Sequence, residues 1–102
     1  MDSSILAPKM THKAFQAQVE SLARSMGWLC YHTFLSKHSP AGFPDEVLVR
    51  PPRLIFAELK IPPDKPTIAQ QVWLETLAKL DCAEIFVWTP DEWEQIVGEL
   101  ER

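Results

Sequence analysis

Residues 42–60 read GFPDEVLVRPPRLIFAELK, and this stretch decides how the chain folds. Apolar and β-branched residues predict two short strands over 46–50 and 54–59, separated by Pro51-Pro52-Arg53. A Pro-Pro pair cannot take the positive φ values of a tight primed hairpin turn. We therefore expect an antiparallel pair of strands with a wider connection between them.

A symmetric pairing of these strands places Arg50 opposite Arg53 and Asp45 opposite Glu58. Opposite residues share a face of the sheet, with side chains about 5 Å apart, and Lys60 shares that face because it lies two residues beyond Glu58. Two carboxylates at that distance repel each other unless a positive charge lies nearby. A divalent cation with oxygen ligands satisfies this requirement, and Lys60 alone is the other solution.

The elements around the hairpin complete an α/β fold. Their order is α-β-β-β-α-β-α, which is typical of a mixed sheet flanked by helices. Residues 1–10 are expected to form a flexible lead-in and residues 11–102 a single domain. The predicted elements outside the hairpin are a helix from Thr11 to a stop at Gly27, a strand over 28–34, a loop over 36–43, a helix after Thr67 with Val72, Trp73, Leu77 and Leu80 on one side, a strand over 83–88 and a helix after Thr89-Pro90.

Composition restricts the classes of function. The formal charge of −4 argues against a protein that coats nucleic acid by charge alone. Residues 1–65 hold eight of the ten Lys and Arg residues, so a surface that faces phosphate is expected on that part of the chain. No apolar run is long enough to cross a membrane, and no signal peptide pattern is present, so we expect an intracellular, cytoplasmic protein. Cys30 and Cys82 are interpreted as buried thiols, without a disulfide or zinc site.

The set Gly42-Phe43-Pro44-Asp45, then Glu58-Leu59-Lys60, then Gln70 and Trp73-Leu74, resembles the VRR-NUC branch of the PD-(D/E)XK nuclease superfamily. The resemblance extends from about residue 11 to residue 100. It implies a restriction-endonuclease-like core and hydrolysis of DNA that depends on Mg²⁺ or Mn²⁺. Stand-alone members, often from phage, look like homodimers that act on branched DNA such as Holliday junctions.

The same resemblance assigns roles to individual residues. It implies that Asp45 and Glu58 bind the metal and that Lys60 is the catalytic lysine. The backbone carbonyl of Leu59, between Glu58 and Lys60, is a natural further ligand. Gln70 is explained equally well by a helix capping box with Thr67 and by a place near the metal or the phosphate.

Two positions depart from the family pattern. The family usually places a glutamate early in the first helix, where this chain has His12, and an apolar residue directly after the aspartate, where it has Glu46. Glu20 lies two helical turns beyond His12 on the same side and is a candidate substitute ligand. Loss of the first-helix carboxylate predicts fewer metal ligands and weaker activity.

The remaining candidates have ordinary structural interpretations beside the functional ones. Lys37 and His38 are either DNA contacts or solvated loop residues. The four tryptophans are expected in the core or a dimer contact, and the two arginines beside the hairpin turn are expected to be exposed. Three functions follow: a structure-selective endonuclease, a DNA-binding module of the same fold with weakened catalysis, or a dimeric scaffold without enzymatic activity.

Overall fold

The computed structural model describes residues 10–34 and 38–102. All but the last residue of the predicted lead-in over 1–10 therefore lies outside the described residues. The element order confirms the predicted α-β-β-β-α-β-α fold. In chain order the elements are α1 (His12–Ser25), β1 (Leu29–His32), β2 (Glu46–Arg50), β3 (Arg53–Leu59), α2 (Ile68–Leu77), β4 (Glu84–Trp88), a 3₁₀ turn (Pro90–Glu92) and α3 (Trp93–Glu101).

The described strands form one mixed sheet in the order β1-β2-β3-β4. The strands β1, β2 and β3 pair antiparallel, whereas β3 and β4 pair parallel. A parallel pair needs a crossover connection, which α2 provides between β3 and β4. The mixed sheet predicted from the sequence is thus confirmed.

The β2–β3 hairpin has the predicted register. Arg50 faces Arg53, and the ladder continues to the pair Glu46–Ala57, so Asp45 and Glu58 lie at its open end. The expected wide connection is wrong, since Pro51 and Pro52 form a two-residue turn. The peptide bond between them is cis, and a cis proline closes a tight turn without any residue at positive φ.

The core lies on one face of the sheet, beneath α1 and α3. The strands contribute alternate residues to it, as the period of two in an extended chain requires. Burial of these apolar side chains is the main force that holds the helices on the sheet. The fully buried members are Phe15, Val19 and Ala23 of α1, Leu48 of β2, Ile55, Ala57 and Leu59 of β3, and Ile96 and Leu100 of α3.

A smaller aromatic contact secures the helix α2. The Phe43 ring lies 5.2 Å from that of Trp73 and 6.0 Å from that of Phe56, both edge-on. Phe56 alternates with the core residues of β3, so this contact lies on the opposite face of the sheet. The prediction of which residues form the apolar side of α2 is wrong in part. Val72 is 57% exposed, and Leu80 lies beyond the end of the helix and is 50% exposed.

The two arginines of the hairpin turn were expected to be exposed, but both are partly buried. The Arg50 guanidinium donates hydrogen bonds to the carbonyls of Met26 and Leu100, and Arg53 donates to the carbonyl of Glu99. Both cations lie over the Trp28 ring, at 4.5 and 5.0 Å from its centroid. The last carbonyls of a helix have no partner within it, so both arginines stabilise the C-terminus of α3.

The cysteines are less buried than expected, whereas the tryptophans pack as expected. Cys30 and Cys82 are free thiols, as predicted, but only Cys30 is partly buried and Cys82 is exposed. The tryptophans pack as predicted, with Trp28 and Trp88 in the core and Trp93 against it. No helix among the described residues is both long enough and apolar enough to span a membrane.

Gly42 offers a test of how the loop before β2 is fixed to α2. Its φ is +99°, and a Cβ atom there would lie 2.5 Å from the backbone of Ala69. We expect Gly42→Ala to lower the free energy of unfolding by more than about 1 kcal/mol, because it is both strained and sterically blocked. Urea denaturation followed by circular dichroism measures this change.

Gly98→Ala is the matched control. Nothing lies within 4 Å of a Cβ atom at this position in α3. Alanine is favoured over glycine inside a helix by up to about 1 kcal/mol, so this variant should be as stable as the wild type or more so. Equal stability of the two alanine variants would contradict the proposed contact between the loop and α2.

Candidate active site at the open end of the hairpin

The loop that precedes β2 is anchored at both sides of Asp45. The Thr33 amide donates a hydrogen bond to the Asp45 carbonyl at 3.0 Å, and the Thr33 hydroxyl donates to the Pro44 carbonyl at 2.9 Å. On the other side, Gly42 packs against the first turn of α2. These contacts fix the backbone from which the Asp45 carboxylate projects.

The structure brings Asp45 and Glu58 together. The Asp45 amide donates to Glu58 Oε1 at 3.2 Å, and the Leu59 amide donates to Asp45 Oδ2 at 2.9 Å. The Glu58 side chain is completely buried. Each carboxylate is therefore oriented by the backbone of the opposite strand.

Lys60 places an ammonium group beside this pair. Its Nζ lies 3.8 Å from Glu58 Oε2, and its side chain is only 16% exposed. The Lys60 amide donates to the Trp88 carbonyl at 2.9 Å, which fixes the end of β3 against β4. Glu58 Oε2 has no hydrogen-bond partner among the described residues. One carboxylate oxygen thus remains available beside an ammonium group.

Burial controls the protonation of Glu58. Burial first, and then the neighbouring Asp45 carboxylate, raise the pKa of Glu58 to about 8, although Lys60 and the Asp45 amide oppose the shift. A buried carboxylate in this position needs either a proton or a cation to offset its charge. The position is therefore suited to bind a cation in exchange for a proton.

His12 completes the group. Its Nε2 lies 3.1 Å from Asp45 Oδ2, at the first turn of α1 where Thr11 caps the helix. This is the position at which the resemblance expects a glutamate. The histidine is therefore in contact with the site, but as a partner of Asp45 and not as a third carboxylate.

Glu20 lies in a different group of side chains. One of its carboxylate oxygens is 2.9 Å from His32 Nδ1, and the other accepts a hydrogen bond from Arg24 at 3.2 Å. Glu46 lies in the same group, completely buried beneath α1, and accepts a hydrogen bond from Gln16 at 2.7 Å. Neither contact of Glu20 involves Asp45 or Glu58.

The proximity of His32 to Glu46 was missed by the sequence reasoning. The two residues face each other across β1 and β2. The register of these strands depends on the long loop between them, which has no pattern that fixes it. The helical spacing of Gln16 and Glu20 was the available signal, since both lie on the side of α1 that faces this pair.

The pKa values of the two carboxyl groups in this second group are shifted in opposite directions. Burial first, and then the neighbouring Glu20 carboxylate, raise the pKa of Glu46 to about 9. Burial also pushes the pKa of Glu20 upward, but contacts with Glu46, His32 and Arg24 outweigh it, so that pKa is lowered. One carboxylate of the pair is thus mainly charged and the other mainly neutral.

A groove of about 560 Å³ runs along α1 and reaches both groups. It is an open depression in the surface, so a polymer can enter it from the side. Lys13 places a cation on its wall, and Phe34 places an aromatic ring there that is 78% exposed. The residues that line it are His12, Lys13, Gln16, Ala17, Glu20, His32, Thr33, Phe34 and Asp45.

The other candidates lie outside the carboxylate pair. Gln70 forms the capping box with Thr67, whose amide donates to Gln70 Oε1 at 2.8 Å. His38 is an exposed loop residue, and Lys37 lies outside the described residues. The structure therefore explains Gln70 by its place in the helix, next to the loop that carries Asp45.

The raised pKa of Glu58 predicts how stability depends on pH without divalent ions. Between about pH 5 and 8 the folded chain holds a proton on Glu58 that the unfolded chain, with a pKa near 4.5, has released. The free energy of unfolding should therefore fall as pH rises through this range, and Glu46 contributes with the same sign. Urea denaturation in EDTA at pH 5.5, 6.5 and 7.5 measures the slope.

Glu58→Gln should reduce this slope, because the amide stays neutral at every pH. Glu75→Gln, at an exposed position of α2, is the control and should keep the wild-type slope. A wild-type stability that rises with pH in this range, or an unchanged slope in Glu58→Gln, would contradict the assignment of the buried proton.

Comparison with known proteins places the fold. No family model and no curated protein sequence matches this chain. A solved structure described as a VRR_NUC domain is similar, with a TM-score of 0.71 and 23% identity over 94% of this chain and 98% of its own. At this identity the similarity is evidence of fold rather than activity. The chain has the fold of a VRR_NUC domain, in agreement with the resemblance found in residues 42–74.

Proposed function

We propose that this domain is a metal-dependent endonuclease that hydrolyses phosphodiester bonds in DNA. The observation that carries the proposal is the buried Glu58 carboxylate. One of its oxygens has no hydrogen-bond partner within residues 10–34 and 38–102, and the group lies against both Asp45 and Lys60. The fold of a VRR_NUC domain supports the same class of activity.

The donor set fits Mg²⁺ or Mn²⁺. Hard divalent ions prefer carboxylate and carbonyl oxygens, and they bind jointly with substrate phosphate. The ion would be held by Asp45, Glu58 and the backbone carbonyl of Leu59. Burial raises the pKa of Glu58, and a bound cation would offset the negative charge of its ionised carboxylate. When bound, the ion supplies Lewis-acid stabilisation of the negative charge that builds up on the phosphate.

Lys60 and His12 act on either side of the carboxylates. The Lys60 ammonium is held at the end of β3, where it can orient the attacking water or stabilise charge on a phosphate oxygen. His12 holds the Asp45 carboxylate by contact with Oδ2, which leaves the other oxygen of that group to the ion. Gln70 supports the same loop indirectly, by fixing the first turn of α2 beside Gly42.

DNA reaches these groups along the groove beside α1. Lys13 contacts a phosphate there, and the exposed Phe34 ring offers a surface on which an unpaired base can stack. Lys37 and His38, which follow β1 in the sequence, are further candidates for contact with DNA. Because the chain is acidic overall, binding depends on these local cations and on the bound ion.

Lys60→Ala tests the catalytic assignment. Loss of one positioned group that acts on the transition state reduces the rate by about 100-fold or more. We expect this loss in a gel assay of labelled DNA with MnCl₂, with an unchanged circular dichroism spectrum. Lys79→Ala, at an exposed position beyond α2, is the matched control and should cleave at the wild-type rate.

The same assay separates the alternatives. Undiminished cleavage by Lys60→Ala would remove the mechanism. If the wild type binds DNA more tightly with metal but yields no products, the domain is a DNA-binding module of this fold. The presence of His12, where the family has a glutamate, is the feature of this chain that favours this outcome. Absence of divalent-ion binding in calorimetry would favour a scaffold without enzymatic activity.

A branched substrate and a homodimer are the finer part of the proposal. One chain of this size covers little DNA, and paired cuts at a four-way junction need two sites. The edge strand β1 supports pairing of two chains, since Leu29 is 75% exposed and Tyr31 is 65% exposed on it. We therefore place the dimer contact at this edge.

This arrangement predicts faster cleavage of a four-way junction than of a linear duplex of the same sequence. Leu29→Glu should convert the dimer to monomers in sedimentation velocity and remove the paired cuts, because it places a charge in the contact. Leu80→Glu, also at an exposed leucine, should do neither. A wild-type monomer that cuts both substrates equally would contradict this part alone.

A further inference from the structure

A second group of ligand-type side chains lies beside α1, outside the carboxylate pair of Asp45 and Glu58. Glu20, His32 and Glu46 each offer one ligand atom, and these atoms all lie within 4.8 Å of one another. The three residues come from three different elements, α1, β1 and β2. Their separation matches that of donors around a single ion.

The Glu46 carboxylate gives independent evidence for a ligand between these three side chains. Its side chain is completely buried, and its Oε1 has no hydrogen-bond partner among the described residues. An unpaired buried carboxylate oxygen is costly and needs a partner. Its other oxygen, Oε2, accepts a hydrogen bond from Gln16.

Hydrogen bonds from the protein orient both carboxylates. Gln16 donates to Oε2 of Glu46, and Arg24 donates to Oε1 of Glu20, whereas Oε2 of Glu20 lies 2.9 Å from His32 Nδ1. Metal-binding carboxylates are commonly oriented in this way by a hydrogen bond to the oxygen that does not bind the ion. The donor set is thus preorganised.

We propose that Glu20, His32 and Glu46 bind a divalent transition-metal ion of the zinc type, at a site separate from the one that holds Mg²⁺ or Mn²⁺ for hydrolysis. An imidazole nitrogen with two carboxylates suits Zn²⁺, whereas Mg²⁺ prefers oxygen ligands alone. Three protein donors leave at least one coordination position for water or another ligand. This proposal does not rest on the proposed nuclease activity.

The ion has an entry path and a structural consequence. The His32 side chain is 41% exposed, and Glu20 and His32 both line the groove along α1. An ion held by α1, β1 and β2 together can bind the folded chain but not the unfolded one. It should therefore raise the melting temperature, and above the dissociation constant the rise should grow with the logarithm of the ion concentration.

The experiment uses the full chain with Asp45→Asn and Glu58→Gln, which remove the proposed hydrolytic metal site. Calorimetric titration with ZnCl₂ should give one ion per chain, and the melting temperature should rise by several degrees. His32→Gln and Glu46→Gln, each added to this background, should weaken Zn²⁺ binding at least about tenfold. Glu75→Gln is the matched control and should bind as the background does.

A second measurement protects the test from folding effects. In a ¹⁵N-labelled background protein, Zn²⁺ should shift the imidazole signals of His32 more than those of the other histidines, and excess MgCl₂ should not reverse the shift. Absence of Zn²⁺ binding by the background would overturn the proposal. Equal binding by the folded His32→Gln and Glu75→Gln proteins, or an unshifted His32, would also overturn it.

Discussion

The register of the β2–β3 hairpin fixes both the hydrophobic core and the position of the candidate active site. A two-residue turn at Pro51-Pro52 sets this register, and it places Leu48 and Ile55 in the core. Because side chains alternate along a strand, a slip of one residue would turn every core residue toward the wrong face. The same register brings Asp45 to Glu58 at the far end, so packing and chemistry are fixed together.

Burial of carboxylates around the start of β2 follows from this register. Asp45 reaches back to β3, whereas the adjacent Glu46 turns beneath α1, so two successive acidic residues enter different groups. The helix α1 serves both, with His12 against Asp45 and Glu20 near Glu46 two turns further along. Each group contains a buried carboxyl oxygen without a hydrogen-bond partner among the described residues, and this feature makes both groups suited to bind ions.

The features that were predicted correctly depend on residues close together in the sequence. The predictions that failed concern contacts between residues that are far apart in the chain. The pairing of Arg50 with Arg53 followed from symmetry about the turn, but their burial depends on carbonyls of α3 that no local pattern reveals. The Pro51–Pro52 turn was predicted too wide because a tight hairpin turn was expected to need residues at positive φ, and this turn has none. His32 and Glu46 were missed as partners since the loop between their strands hides the register, whereas Asp45 and Glu58 are joined by a short turn.

The acidic character of the chain is consistent with a DNA substrate when charge is considered locally. A protein with a net charge of −4 gains little from long-range attraction to phosphate. In the proposed nuclease, the carboxylate groups along α1 would repel DNA until cations bind to them, so ion binding and DNA binding would each strengthen the other. The proposed ions would then add to the positive charge of Lys13 and Lys60 beside the groove, so the carboxylates proposed for hydrolysis would also control the affinity for DNA.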